Sequence, residues 1–302
     1  SKYVVSIEPE TLTLDNSANY AADSQIGQAR NAASETLFVK IMARLGMKES
    51  EAKDRYAAMI ALETKLASAE ATKADMNTSE YLSSSYNPMS ASQLQKAAGS
   101  YPVSAVLKPY TDAGFKNFSL AQPKWLAKLS ELYTGDNVEA MKDILLYNAM
   151  FSTCRYLDQE CIDLYNDFGS AISGTKVKTD ANTLAYRSIA DNSTGTAPDF
   201  LCWAAGKIYA ENYVTEKTKK EMNAFVNKIV AVYRTRLEKN TWLSATTKKK
   251  ALEKLDALRI RVAYPDDWSK YTIEDFSLKT AAEGGNAITD LETVKKYTTK
   301  KN

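Results

Sequence analysis

Histidine is absent from the 302 residues of this chain. The imidazole ring is the base in Ser-His-Asp and Cys-His catalytic arrangements, and it is a ligand in many zinc sites. Its absence excludes both catalytic arrangements, and every histidine-containing zinc site, from these residues.

Proline and glycine are scarce, with 7 and 11 residues. An all-β sandwich or barrel needs many tight turns and uses more of both residues. Hydrophobic residues make up 44% and charged residues 25%, which is ordinary for a globular chain with a sizeable core. The composition therefore predicts a mainly α fold with long helices.

Cysteine is equally rare, and its odd count of three argues against a disulfide framework. Cys154 and Cys161 are seven residues apart in a helical stretch, which separates them by roughly 10 Å along the axis. That distance is beyond disulfide reach. We expect these two residues and Cys202 to be buried free thiols.

Charge and hydropathy argue against nucleic acid and membranes as partners. The net charge is +2, from 39 basic and 37 acidic residues, whereas nucleic-acid binding usually needs a strong basic bias. The densest basic run, Lys248–Lys250, lies in a helical pattern and is interpreted as a solvated helix face. No apolar run of about 18 residues is present, so no membrane-spanning segment is predicted. No signal-peptide pattern indicates the compartment.

The first segment, Tyr3–Leu14, alternates in a way that predicts two short strands, forming a minor β-hairpin near the N-terminus. Long segments after it have helical periodicity. One helix begins near Asp136 and runs towards Gly169. Polar stretches at residues 71–87 and 173–198 are interpreted as loops, the second because it contains the turn signal Asp191–Gly195.

The strongest amphipathic helix begins at Thr215 and ends at Asn240. Its apolar positions are Met222, Phe225, Val226, Ile229, Tyr233 and Leu237. Ser244 caps a final helix that Pro265 stops. We expect the two helices to pack as antiparallel neighbours with Trp242 at their junction, because a short turn favours that arrangement.

Glu63 falls in the middle of the apolar stripe of an earlier helix. It is either a catalytic carboxylate or a structural acid paired with an arginine or a backbone amide. A lone buried charge is costly, so the structural interpretation is favoured and a hydrogen-bonding partner is expected.

Five short motifs near the C-terminus resemble those of the neprilysin family of zinc metallopeptidases, including its bacterial oligopeptidase O branch. The motifs are Gly206–Ala210, Thr241–Ser244, Thr247–Ala251, Glu253–Leu255 and Tyr264–Asp267. The family has Gly-Arg/Lys-x-Tyr, then Thr-Trp-Met, a Thr-Lys-x-x-Ala-x-x-Lys-Leu helix, and Ile-Gly-Tyr-Pro-Asp. The order and spacing are similar along nearly the whole chain.

The match continues upstream and has departures. The segments Leu62–Ala67 and Tyr86–Ser90 are similar to the Glu-x-x-Leu-Ala helix and the Tyr-Asn-x-Met-Ser/Thr turn of the family. Val262-Ala263 replaces Ile-Gly, and Leu243 replaces Met. The family's Arg-Trp pair has only a partial counterpart at Tyr186-Arg187. The cysteines do not fall at the disulfide positions of the animal members, which favours a bacterial relative.

The resemblance implies that residues 1–265 form a multi-helix cap domain and that residues 266–302 are a linker leading toward a missing catalytic domain. In this family that domain carries zinc, His-Glu-x-x-His and a further glutamate ligand. None of these motifs occurs here, so no catalytic, cofactor-binding or metal-binding residue can be assigned to this chain. The expected partners are the C-terminal catalytic domain and peptide substrates. The resemblance also implies a location outside the cytoplasm, in the periplasm, in the cell envelope or secreted.

The sequence is compatible with three functions. The chain is the inactive cap of a zinc metalloendopeptidase that roofs the chamber and restricts substrate size, or it is a stand-alone helical binding or scaffold protein with the same fold. The third is an enzyme that uses carboxylates alone, such as a glycosidase, but no acidic pair lies in a recognisable context. Continuation of the natural gene past Asn302 into His-Glu-x-x-His distinguishes the first two.

Overall fold

The computed structural model describes residues 4–191, 198–274 and 276–301. Tyr3 of the expected hairpin and Asn192–Gly195 of the expected loop signal lie outside these residues. The chain divides into two compact units, Ser1–Thr179 (unit 1) and Asp180–Asn302 (unit 2).

Helices dominate both units, which confirms the mainly α class. Unit 1 contains α1 Gln25–Arg44, α2 Glu49–Ala67, α3 Lys73–Met76, α4 Ser79–Ser84, α5 Ala91–Ala97, α6 Val103–Asp112, α7 Pro123–Leu132, α8 Val138–Thr153 and α9 Gln159–Ser173. Its strands are β1 Val5–Ile7, β2 Pro88–Met89 and β3 Phe118–Leu120. Unit 2 contains α10 Ala181–Ala190, α11 Asp199–Tyr213, α12 Glu216–Glu238, α13 Ala245–Asp256 and α14 Ala287–Lys301.

The expected N-terminal hairpin is wrong in its pairing. Strand β1 pairs in parallel with β3, which also pairs antiparallel with β2. Leu12 and Leu14 are buried, but they lie in a turn rather than in the expected second strand. In that turn Asp15 has a positive φ of 72° and its amide donates to the carbonyl of Leu12 at 2.8 Å.

Unit 1 contains two hydrophobic cores that α2 connects. The first core lies among α1, α2, α8 and α9, and includes the fully buried Phe38 and Met59. The second lies between the small sheet and helices α5 to α7. A smaller cluster joins Leu62 and Leu66 of α2 to Leu132 at the end of α7. One helix therefore contributes side chains to both halves of the unit.

Local capping explains where several helices begin and where the sequence interpretation failed. A capping box of Ser90 and Gln93, a pattern of two residues three apart, is present at the start of α5. The single long helix expected after Asp136 is interrupted, because Asp158 caps a new helix, α9. The segments expected to be loops contain α3, α4 and α10, which begin at N-cap residues Thr72, Thr78 and Asp180. Helices α3 and α4 have only four and six residues, which is too short for a clear apolar period.

Helices α12 and α13 of unit 2 pack on one another, as predicted from the sequence. Thr215 and Ser244 are their N-caps, and Arg234 of α12 pairs with Asp256 of α13. The expected position of Trp242 at the junction of the two helices is wrong, because its side chain is 81% exposed.

The turn before α13 explains that error. The Asn240 side-chain oxygen accepts hydrogen bonds from the amides of Trp242 and Leu243, at 3.1 and 2.8 Å. This arrangement fixes the turn with Leu243 half-buried and Trp242 pointing outwards.

The segment 266–302, expected to be a linker, is folded in its described part. It contains helix α14 and two 3-10 turns, Ser269–Tyr271 and Ala281–Glu283. The ring of Tyr297 lies 4.6 Å from that of Phe200 and 5.0 Å from that of Phe276, measured between centroids. Aromatic residues spaced far apart in the sequence therefore bring this segment onto α11, which the local polar composition did not indicate. That the segment leads toward a catalytic domain stays a prediction.

Gly27 lies at a close contact between α1 and the preceding 3-10 turn, Ser17–Tyr20. A Cβ atom at Gly27 would lie 1.8 Å from the backbone oxygen of Asn19. Backbone cannot move aside as a flexible side chain can, so the close approach of these two segments requires glycine.

We expect Gly27→Ala to lower the free energy of unfolding by about 1–3 kcal/mol, the usual cost of overpacking. The measurement is urea unfolding of the chain followed by circular dichroism. Gly135→Ala is the matched control, because a Cβ atom there meets nothing within 4 Å. Equal stability of the two variants would contradict the assigned contact.

Candidate functional site

Glu63 is the one carboxylate that the sequence singled out, and its surroundings are structural. It lies on α2, is 1% exposed, and accepts three hydrogen bonds at its two oxygens. The backbone amide and hydroxyl of Thr13 donate to Oε1 at 3.3 and 3.0 Å, and the Tyr20 hydroxyl donates to Oε2 at 2.5 Å. The expected burial and the expected backbone-amide partner are confirmed, and the partner set contains no arginine.

Electrostatics around Glu63 are dominated by burial. Burial raises the pKa of the Glu63 carboxyl above its ordinary value, and the hydrogen bonds from Tyr20 and Thr13 oppose that rise. Burial, together with the neighbouring Glu63, also raises the pKa of the Tyr20 hydroxyl. Since Thr13 and Tyr20 cover both oxygens, Glu63 is not accessible to a substrate. Sequence reasoning missed these partners because they lie far from Glu63 along the chain.

A second perturbed carboxyl, Glu70, lies just beyond the end of α2. Burial, and then the charge of Glu63, raise its pKa to about 7. Glu70 borders a cavity of about 260 Å³ that is also lined by Glu8, Glu10, Asp15 and Lys73. Its position in a polar connecting segment left no sequence signal.

Unit 2 has a larger cavity, of about 520 Å³, at the Tyr264–Asp267 motif that carried part of the family resemblance. The ammonium of Lys219 lies 4.2 Å from the ring centroid of Tyr264 and 2.5 Å from an Asp266 oxygen. Trp203 and Tyr271 form another part of the wall, with ring centroids 4.0 Å apart. The motif thus joins α12 to the chain after α13 by charge and aromatic contacts.

The basic run Lys248–Lys250 lies on α13, as expected for a solvated helix face. Lys249 and Lys250 are exposed, and the Lys248 ammonium donates to the Glu238 carbonyl at 3.0 Å. Lys250 also pairs with Glu253, one turn further along the helix. Two of the three ammonium groups therefore have partners within unit 2.

Thiols and carboxylates do not assemble into a metal site in the part of the chain that the structure describes. No group of three or more His, Cys, Asp or Glu residues is placed to hold an ion there. Cys154 and Cys161 are buried and are not joined by a disulfide, whereas Cys202 is half-buried. In the same residues, no helix combines the length and apolar character that crossing a bilayer requires.

The model for the N-terminal region of peptidase family M13 matches residues 1–265. The chain belongs to peptidase family M13. This is the family that the motifs from Gly206 onwards indicated, and the resemblance is confirmed.

Curated relatives are matched over about a third of their own length. The neutral endopeptidase of Lactobacillus helveticus is 27% identical over 232 residues, which cover 77% of this chain and 34% of that protein. Human neprilysin is 25% identical over 221 residues, which cover 68% of this chain and 28% of that protein.

Solved structures share the fold. The crystal structure of PepO from Lactobacillus rhamnosis HN001 matches with a TM-score of 0.75 and 22% identity, over 97% of this chain and 44% of that chain. The Mycobacterium tuberculosis zinc metalloprotease Zmp1, in complex with an inhibitor, matches with a TM-score of 0.65 and 18% identity. That second match covers 84% of this chain and 37% of that chain.

We expect Glu63→Ala to lower the free energy of unfolding by about 2 kcal/mol, because it leaves three buried donors of Thr13 and Tyr20 without an acceptor. Urea unfolding of the chain measures the change. Asp54→Ala is the matched control, since Asp54 is an exposed acid on the same helix. An unchanged stability for Glu63→Ala would mean that the network contributes nothing.

Glu70 should make stability depend on pH. Burial raises the pKa of Glu70 from 4.5 to about 7. Between these two pH values, Glu70 therefore keeps its proton in the folded protein and has lost it in the unfolded chain. The stabilisation is complete below pH 4.5 and is lost as the pH rises through about 7. Glu70→Gln should therefore show a smaller fall in the free energy of unfolding from pH 4.5 to 7.5. The exposed Glu80→Gln is the control, and an identical pH profile for wild type and Glu70→Gln would refute the assignment.

Proposed function

We propose that this chain is the non-catalytic helical cap of a zinc metalloendopeptidase that cleaves peptides. The cap roofs the catalytic chamber and admits peptides while excluding folded proteins. The match of the M13 N-terminal region across residues 1–265 is the observation that carries this proposal. It is supported by a fold shared with PepO and with Zmp1, which is itself described as a zinc metalloprotease.

The zinc of such an enzyme does not fit the residues present here. A catalytic zinc site needs three protein ligands and an open position for water. The chain has no histidine, and the described residues bring no three candidate ligands together. Zinc chemistry is therefore assigned to the catalytic domain, and no reaction step is assigned to residues of this chain.

The cap acts through shape, and its partners are the catalytic domain and peptide substrates. Residues 1–265 form the cap, and residues 266–302 lead toward the catalytic domain. The packing of Tyr297 of α14 against Phe200 of α11 supports a structured rather than a flexible connection. By analogy with the family, the site of action is outside the cytoplasm.

We expect the purified 302-residue chain to bind no stoichiometric zinc and to cleave no peptide, whereas the longer protein encoded by its gene does both. The measurements are zinc content by elemental analysis and cleavage of an unstructured peptide library with and without a chelator. To test size exclusion, one substrate protein is offered to the longer protein in its folded and in its unfolded form. Only the unfolded form should be cut.

Two outcomes would contradict the proposal. Stoichiometric zinc with chelator-sensitive cleavage by the 302-residue chain would place the active site within it. A longer protein with neither zinc nor cleavage, or a gene that does not continue into His-Glu-x-x-His, would favour a stand-alone binding or scaffold protein.

A further inference from the structure

Apolar burial is divided unevenly between the two units. Among the described residues, all but three of the buried hydrophobic side chains belong to unit 1, and the exceptions are Leu184, Ala210 and Tyr297. A domain of unit 2's length ordinarily buries well over half of the surface of its unfolded chain. Unit 2 thus has a fold without the apolar core that its length would normally supply.

Helix α12 carries apolar side chains that remain exposed, because it has two apolar faces and only one of them is partly covered. Val226, Val230 and Leu237 are half-buried and share a face with Arg234, which pairs with α13. The second face is a stripe at helical spacing with side chains 42–59% exposed, and we call it the α12 stripe. It consists of Met222, Phe225, Ile229, Val232 and Tyr233.

Helix α11 also has an exposed face, which is a second and independent indication of an unoccupied docking surface. Gly206, Tyr209 and Tyr213 follow one another at spacings of three and four, so they share a face. The two tyrosines are 61% and 74% exposed. A Cβ atom at Gly206 would meet nothing within 4 Å. Glycine inside a helix lowers its stability. No atom in the described part of unit 2 comes close enough to require glycine at this position.

We infer that the α12 stripe and the Gly206 face of α11 are docking surfaces for the part of the M13 polypeptide that this chain does not include. The inference rests on the proposed function and names the surface by which the cap joins the rest of the enzyme. Exposed apolar stripes of this extent mark interaction sites, and helices are stable when such stripes are buried against another layer.

The length of the relatives identifies the occupant. The match to PepO places a fold like this one within a single chain more than twice as long. The curated relatives are likewise more than twice as long as this chain. Each has enough additional polypeptide to cover these helices, and an open glycine next to exposed tyrosines fits close approach of another backbone.

Cysteine accessibility tests the α12 stripe. Phe225→Cys and Ile229→Cys are introduced separately into the 302-residue chain and into the longer protein. Alkylation by a maleimide is followed peptide by peptide, which separates the new thiol from Cys202. Ala224→Cys is the matched control, because Ala224 is exposed on α12 outside the stripe. We expect the two stripe thiols to react at least 10-fold more slowly in the longer protein, and the control thiol to react equally in both.

The outcomes separate this inference from the proposed function. Equal stripe reactivity in a longer protein that binds zinc and cleaves peptides overturns the inference alone. Protection of the stripe in a longer protein without zinc or activity supports the inference and overturns the function. Protection in the 302-residue chain that disappears on dilution would assign the stripe to self-association instead and overturn the inference.

Gly206→Ala tests the α11 face, because it should change Tm in opposite directions in the 302-residue chain and in the longer protein. In the 302-residue chain it should raise Tm by about 2 °C, because alanine favours the helix and the position is open. In the longer protein it should lower Tm, since the added methyl group meets the docked backbone. The same rise in both proteins would show that nothing approaches Gly206 and would overturn that half of the inference.

Discussion

The carboxylate of Glu63 joins the N-terminal segment of unit 1 to α2. Its hydrogen bonds with Thr13 and Tyr20 fix the turn that carries Leu12 and Leu14 inwards. Helix α2 in turn contributes to the first hydrophobic core of the unit and to the smaller cluster with Leu132 of α7. A buried acid is tolerated here because every one of its partners is a donor, and the same arrangement closes it to chemistry.

Features that depend on a few neighbouring residues could be predicted from the sequence. The caps at Ser90, Thr215 and Ser244, and the packing of α12 on α13, are of this kind. Features set by distant or unusual contacts could not. Strand β1 pairs with β3, which is remote in the sequence, and the direction of Trp242 follows from the hydrogen bonds of the Asn240 side chain.

Periodicity has a further limit, which α12 illustrates. An apolar stripe indicates that a face is buried, but it does not indicate by what. The sequence pattern merged Val226 and Leu237, which lie towards α13, with Phe225 and Ile229, which lie on the exposed face. The exposed residues became distinguishable only when the position of α13 was known.

The family resemblance identified the protein family, whereas the chemistry of individual residues did not indicate a function. This difference has a physical reason. Its motifs hold no catalytic group, and Tyr264 and Asp266 instead fix Lys219 of α12 beside the chain that follows α13. Such contacts position helices, and a cap needs helices placed around a chamber more than it needs reactive side chains. The absence of histidine and the thin core of unit 2 then have one explanation. On the proposed function and the inferred docking surfaces, polypeptide beyond this region would supply both the chemistry and the burial that it lacks.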